Sequence, residues 1–70
     1  MTREEQAMWA GKLQNALGSD YYIHFDALDS GMTECYYKHS LYKTVSNDEM
    51  CGSINVADFK APNELIIAYM

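Results

Sequence analysis

A chain of 70 residues with ten acidic and five basic side chains carries a net charge of -5, which excludes phosphate-backbone binding as its leading activity, because that binding rests on Lys and Arg. Apolar residues make up 49% of it, and six Tyr join Trp9, Phe25 and Phe59, so it is not a disordered tail; residues 1–70 read as a single small domain with one core. The acidic opening MTREEQ precedes no apolar stretch of signal-peptide length, and no run of about 18 apolar residues occurs, so the expectation is a cytoplasmic protein with no membrane partner.

Thr2-Arg3-Glu4-Glu5 matches a helix-starting box, in which the Thr hydroxyl takes the Glu5 N–H and the Glu5 carboxylate reaches back to the amide of Thr2. Gln6, Trp9, Ala10, Leu13, Ala16 and Leu17 then recur at helical spacing. Arg3, Glu4, Ala7, Gly11, Gln14 and Asn15 fall on the other side, and Gly18 closes the helix as a left-handed cap. The remainder reads as strands at Tyr21–Leu28, Met32 to about Val45, Ser53–Phe59 and Glu64–Met70, separated by turn residues and Pro62. The fold class is therefore α+β: one N-terminal helix packed on a small, mainly antiparallel sheet of three to four strands, αβββ(β).

The stretch HFDALDSGMTECYYKH raises the question of a metal or catalytic site. A three-residue turn at Asp29-Ser30-Gly31, with Gly31 left-handed, sets Leu28 against Met32. It then puts Phe25 against Cys35, Ile23 against Tyr37 and Tyr21 against His39 on one face. His24/Tyr36, Asp26/Glu34 and Tyr22/Lys38 take the other. A two-residue turn would place Lys38 and Glu34 on the apolar face, which their desolvation opposes. The candidate ligands are thereby divided between faces, and Cys35-x3-His39 alone supplies too few for zinc, so no metal or other cofactor is expected. Cys35 and Cys51 read as reduced thiols. Asp26 and Glu34, opposed on an exposed face, lack an accompanying nucleophile, oxyanion donor or cofactor loop, so no catalytic residue is assigned and the protein is read as a non-enzyme.

One helix covers one face of a sheet, yet this sheet is apolar on both, and Leu65-Ile66-Ile67-Ala68-Tyr69-Met70 has no polar alternation, as in a strand buried on two sides. The uncovered face, carrying Tyr22, His24, Asp26, Glu34 and Tyr36 with Asp29 at its turn, is the expected partner-binding site. Acidic residues at Asp20, Asp26, Asp29, Glu34, Asp48, Glu49, Asp58 and Glu64 would form a negative band suited to a basic partner.

The leading functional expectation is a small acidic module that occupies a basic, nucleic-acid-handling surface of another protein or complex, as an inhibitor or adaptor. In size, charge and lack of catalytic motifs the chain resembles the small inhibitors that phages use against host defence, anti-CRISPR proteins among them; the resemblance is one of profile, and no residue motif carries it. The alternative is an obligate structural or regulatory homodimer that consumes its aromatic face in self-association. An aromatic sheet stacking single-stranded RNA ranks last, because the glycine-aromatic signature of the RNA recognition motif is missing and the charge has the wrong sign.

Overall fold

The computed structural model describes residues 2–25, 31–50 and 55–70. Thr2 starts helix α1, Arg3–Leu17, by accepting the Glu5 N–H at 3.1 Å. Its hydroxyl also donates to the Glu5 carboxylate at 3.2 Å, so the box closes between side chains, where the reading from sequence had Glu5 returning to the Thr2 amide. Glu4 and Glu5 occupy the first turn, where the helix dipole favours negative charge. The helix buries Ala10 and Leu13 and packs Trp9 and Leu17 at the core margin, whereas Ala16, assigned to the same stripe, is exposed. Gly18 ends the helix at φ 95°, ψ -174°: the positive φ is as expected, but the extended ψ belongs to a glycine-specific region, not to the left-handed helical one.

Strands β1 (Tyr21–Phe25), β2 (Met32–Tyr37) and β3 (Ser40–Ser46) form an antiparallel sheet in the order β1-β2-β3, with α1 against one face. The expected α+β layout is therefore present, with three strands among the described residues. The long strand anticipated over Met32–Val45 is two strands, reversed at Lys38 and His39, whose φ values are 44° and 73°. Positive φ at both central positions is the geometry of a tight two-residue hairpin, whose twist matches that of its strands.

The β1–β2 pairing is Tyr21↔Tyr37, Tyr22↔Tyr36, Ile23↔Cys35, His24↔Glu34 and Phe25↔Thr33. This corrects the expected register by two residues: Cys35 faces Ile23 instead of Phe25, and Glu34 faces His24 instead of Asp26. A slip of two keeps every side chain on its face, because alternation specifies parity and the connecting turn specifies the rest. Gly31 does adopt φ 65°; Leu28, Asp29 and Ser30, on which the turn assignment rested, lie outside the described residues.

Ile23, Cys35 and Val45 turn toward the helix and join Ala10, Leu13, Met50 and Phe59 in the core, with Phe25 and Tyr42 packed at its edge. A bulge sets Cys35 against Lys43 and Tyr36 against Leu41, so Tyr42 is the extra residue. The Tyr42 hydroxyl donates to the Phe59 carbonyl, and the Lys43 ammonium lies 4.7 Å from the Phe59 ring while donating to the Asp58 carbonyl at 2.6 Å. Bulge and lysine stem together seal this end of the core.

Past β3 the described residues form three short helical elements. Ser46 Oγ accepts the Glu49 N–H at 3.1 Å and opens a single turn, α2 (Asn47–Met50), that buries Met50 completely. Thr33 donates to Asn47 Oδ1 at 2.6 Å, tying α2 to β2 through a buried hydrogen bond. Asn55 Oδ1 accepts the Ala57 N–H at 3.2 Å and starts a 3-10 turn, Val56–Phe59, and α3 spans Asn63–Ala68 behind Pro62. The strands expected at Ser53–Phe59 and Glu64–Met70 are thus replaced by helices over their described parts, because side-chain and proline caps outweigh β-branched content in such short segments. α3 buries none of its residues, so the unbroken apolar run does not mark a strand covered on both sides.

Candidate protein-binding face

The face of the sheet opposite α1 carries Tyr22, His24, Glu34 and Tyr36 together, the grouping expected from alternation, in a different pairing. Tyr22 and Tyr36 are direct cross-strand partners with ring centroids 5.8 Å apart, and Tyr22 lies 6.0 Å from the His24 ring. The Tyr22 hydroxyl and His24 Nδ1 are 3.3 Å apart. On the far side of Tyr36 the bulge delivers Leu41, which the reading from sequence missed because it treated residues 32 to 45 as one continuous strand. The patch therefore runs His24, Tyr22, Tyr36, Leu41 across all three strands. Tyr22 is 58% exposed and Leu41 52%, so large apolar side chains remain in water although the sheet's other face is filled.

Burial, the charge and hydrogen bonding of Glu34, and Tyr22 all push the Tyr36 phenol above its ordinary value, so it stays a neutral donor. Glu34, set against His24, is the one described carboxylate on this face; Asp20, Asp48, Glu49 and Asp58 are distributed over the turns and helices. The expected negative band is thus not gathered beside the aromatics. Asp26 and Asp29 lie outside the described residues.

A second feature flanks the patch. Ser19, Asp20, Tyr21, Tyr22, Lys38, His39 and Tyr69 line an open hollow of about 380 Å³ at the β2–β3 turn. The Lys38 ammonium sits 5.8 Å from the Tyr37 ring and 5.7 Å from the Tyr69 ring, and the Lys38 N–H donates to the Asp20 carbonyl at 2.9 Å. Tyr69 in turn meets the Ser40 hydroxyl at 2.8 Å. These contacts hold a hairpin turn that has no glycine.

The turn also separates Cys35 from His39: the cysteine is wholly buried inside β2, whereas His39 is exposed beyond the strand's end. They do not share a strand face, as the ligand pattern had assumed. Among the described residues no group of three His, Cys, Asp or Glu side chains is arranged to hold a metal ion, and no helix is long and apolar enough to cross a membrane. Cys35 is a free thiol, and burial pushes it above its ordinary value of 9.0 against the opposing pull of Lys43. Cys51 lies outside the described residues.

By architecture the chain is a helix over a three-stranded antiparallel meander with a helical C-terminal extension. No family model, no curated protein and no solved structure matches it.

Proposed function

We propose that this chain is a small acidic protein-binding module that seats its Tyr22, Tyr36, Leu41 face on a basic, nucleic-acid-handling surface of a partner and so inhibits or redirects it. The observation that carries the reading is the exposed aromatic and aliphatic patch running over three strands, on the side opposite α1 that no described helix covers. A net charge of -5 supplies long-range attraction to a basic partner, while the uncharged centre supplies desolvated contact area. Function of this kind requires no catalytic group, metal or cofactor. In size and charge it resembles the anti-defence and anti-CRISPR-type inhibitors of phages, and on this reading it works in the cytoplasm, the host's if a phage encodes it.

The test is capture from a bacterial lysate on the tagged chain, washed at low and high salt and competed with added nucleic acid. Tyr22→Ala and Tyr36→Ala baits serve as folded comparators. A nucleic-acid-binding protein that is displaced by competitor and salt, and lost with either tyrosine, supports the reading. Capture unchanged by both variants removes this face from the function. A bait that retains only copies of itself, and loses them with Tyr36→Ala, converts the reading into self-association through the aromatic face.

A further inference from the structure

The two edges of the sheet are finished differently. On β1, the Ile23 N–H donates to Gln14 Oε1 at 2.8 Å, and Gln14 Nε2 donates to the Tyr21 carbonyl at 2.6 Å. The carboxamide of α1 thus occupies the positions that a neighbouring strand would take, and this edge is closed. The same bonds set the phase of the ladder. If Tyr21 and Ile23 turn their main chains away from β2, then Tyr22 and His24 bond to Tyr36 and Glu34, leaving Thr33 and Cys35 to bond across to Val45 and Lys43. Thr44, between those two, directs its N–H and C=O outward. Thr44 is exposed, and no described residue bonds it from outside the sheet.

The open edge is also electrically polarised. It begins at the Lys38-His39 turn and ends at Asp48 and Glu49 of α2. A second such strand laid antiparallel along it brings the cationic end of each against the anionic end of the other, whereas a parallel arrangement sets like charges side by side.

We propose that β3 pairs antiparallel with β3 of a second copy about a two-fold axis near Thr44, giving a continuous six-stranded sheet in which Lys38 and His39 of each chain face Asp48 and Glu49 of the other. The contact is isologous, so each favourable end occurs twice. It uses the edge and leaves both aromatic faces uncovered and on the same side of one sheet. It therefore stands or falls independently of the partner-binding reading, which the lysate capture tests.

Sedimentation equilibrium of the purified chain over a range of concentrations and salt decides it. The expected mass is twice the 8.0 kDa of the chain. Thr44→Pro, which removes an N–H that the sheet does not use internally, yields a folded monomer by far-ultraviolet circular dichroism. Glu49→Lys, on an exposed position, weakens the dimer roughly tenfold because the symmetry applies the change at both ends, and adding Lys38→Glu restores it. The charge pair settles the matter should Thr44→Pro fail to fold. A mass of 8.0 kDa throughout overturns the proposal, as does a dimer indifferent to Glu49→Lys.

Discussion

Gln14 shows how much one side chain decides at the residue scale. Helical spacing assigned it to the solvent side, because that reading counts apolar residues and has no place for an amide that substitutes for a strand. Gln14→Leu keeps the size and loses both bonds to Tyr21 and Ile23; a loss of about 1–3 kcal/mol in urea unfolding is expected, together with concentration-dependent association through the unblocked edge. Thr33 is comparable: Thr33→Val removes the donor to buried Asn47 Oδ1 and should cost about 1–3 kcal/mol, read from the same unfolding curves. None of these bonds was legible in the sequence. Their partners are 7, 9 and 14 residues apart and meet only through the final packing.

At the element scale, the Lys38-His39 turn holds two non-glycine residues at positive φ, which costs about 1–2 kcal/mol per residue against the ordinary conformation. Replacing them with Asn-Gly should raise stability by about 1–2 kcal/mol, after loss of the Lys38 contacts with Tyr37 and Tyr69, as measured by thermal or urea unfolding. A smaller gain would mean that those ring contacts offset the strain more fully. The turn escaped reading because Lys and His are not turn formers, although a strand from 32 to 45 is longer than most. The element starting at Ser46 was legible: Ser46-Asn47-Asp48-Glu49 has the same S/T-x-x-E spacing as Thr2-Arg3-Glu4-Glu5, and its hydroxyl makes the corresponding bond to the Glu49 N–H. The competing signal is turn chemistry, since Ser46, Asn47 and Asp48 are loop formers as well as helix starters. For α3, Pro62-Asn63-Glu64 is a helix opening, and the β-branched pair after it drew the reading toward a strand.

Across the whole molecule, alternation placed Tyr22, His24, Glu34 and Tyr36 on one face correctly even though their pairing was read two residues out, since burial of one face tolerates only even slips. What spacing could not supply was Leu41, which arrives through the bulge, or the scatter of carboxylates over the turns and helices. Stability of the whole should respond to alkali. Burial raises Cys35 above 9.0 and Tyr42 above 10.0, so the folded chain keeps protons that the unfolded chain releases. The resulting contribution is intact below the unfolded values and is lost as pH climbs from about 9 toward the folded values. Urea midpoints should therefore hold steady from about pH 7 to 9 and then fall, with a shallower fall in Tyr42→Phe; a flat profile to about pH 11 would contradict this.

The C-terminal extension has a different standing from the rest. No residue of α3 is fully buried, Leu65 and Ile66 being half-buried, and beyond Ala61, whose N–H donates to the Tyr21 hydroxyl at 3.2 Å, Tyr69 meets the Ser40 hydroxyl and sets its ring edge against Tyr37. The extension's amides should exchange with solvent deuterium well before those of β2, and a protease should trim it from a body that keeps its circular dichroism spectrum, with an unfolding midpoint lowered by loss of the Tyr69 contacts with Ser40, Tyr37 and Lys38. Substitutions after Ala61, Tyr69 apart, can then accumulate at little cost to folding, so this tail is the part of the molecule on which new sequence can be tried while the sheet and its aromatic face stay intact.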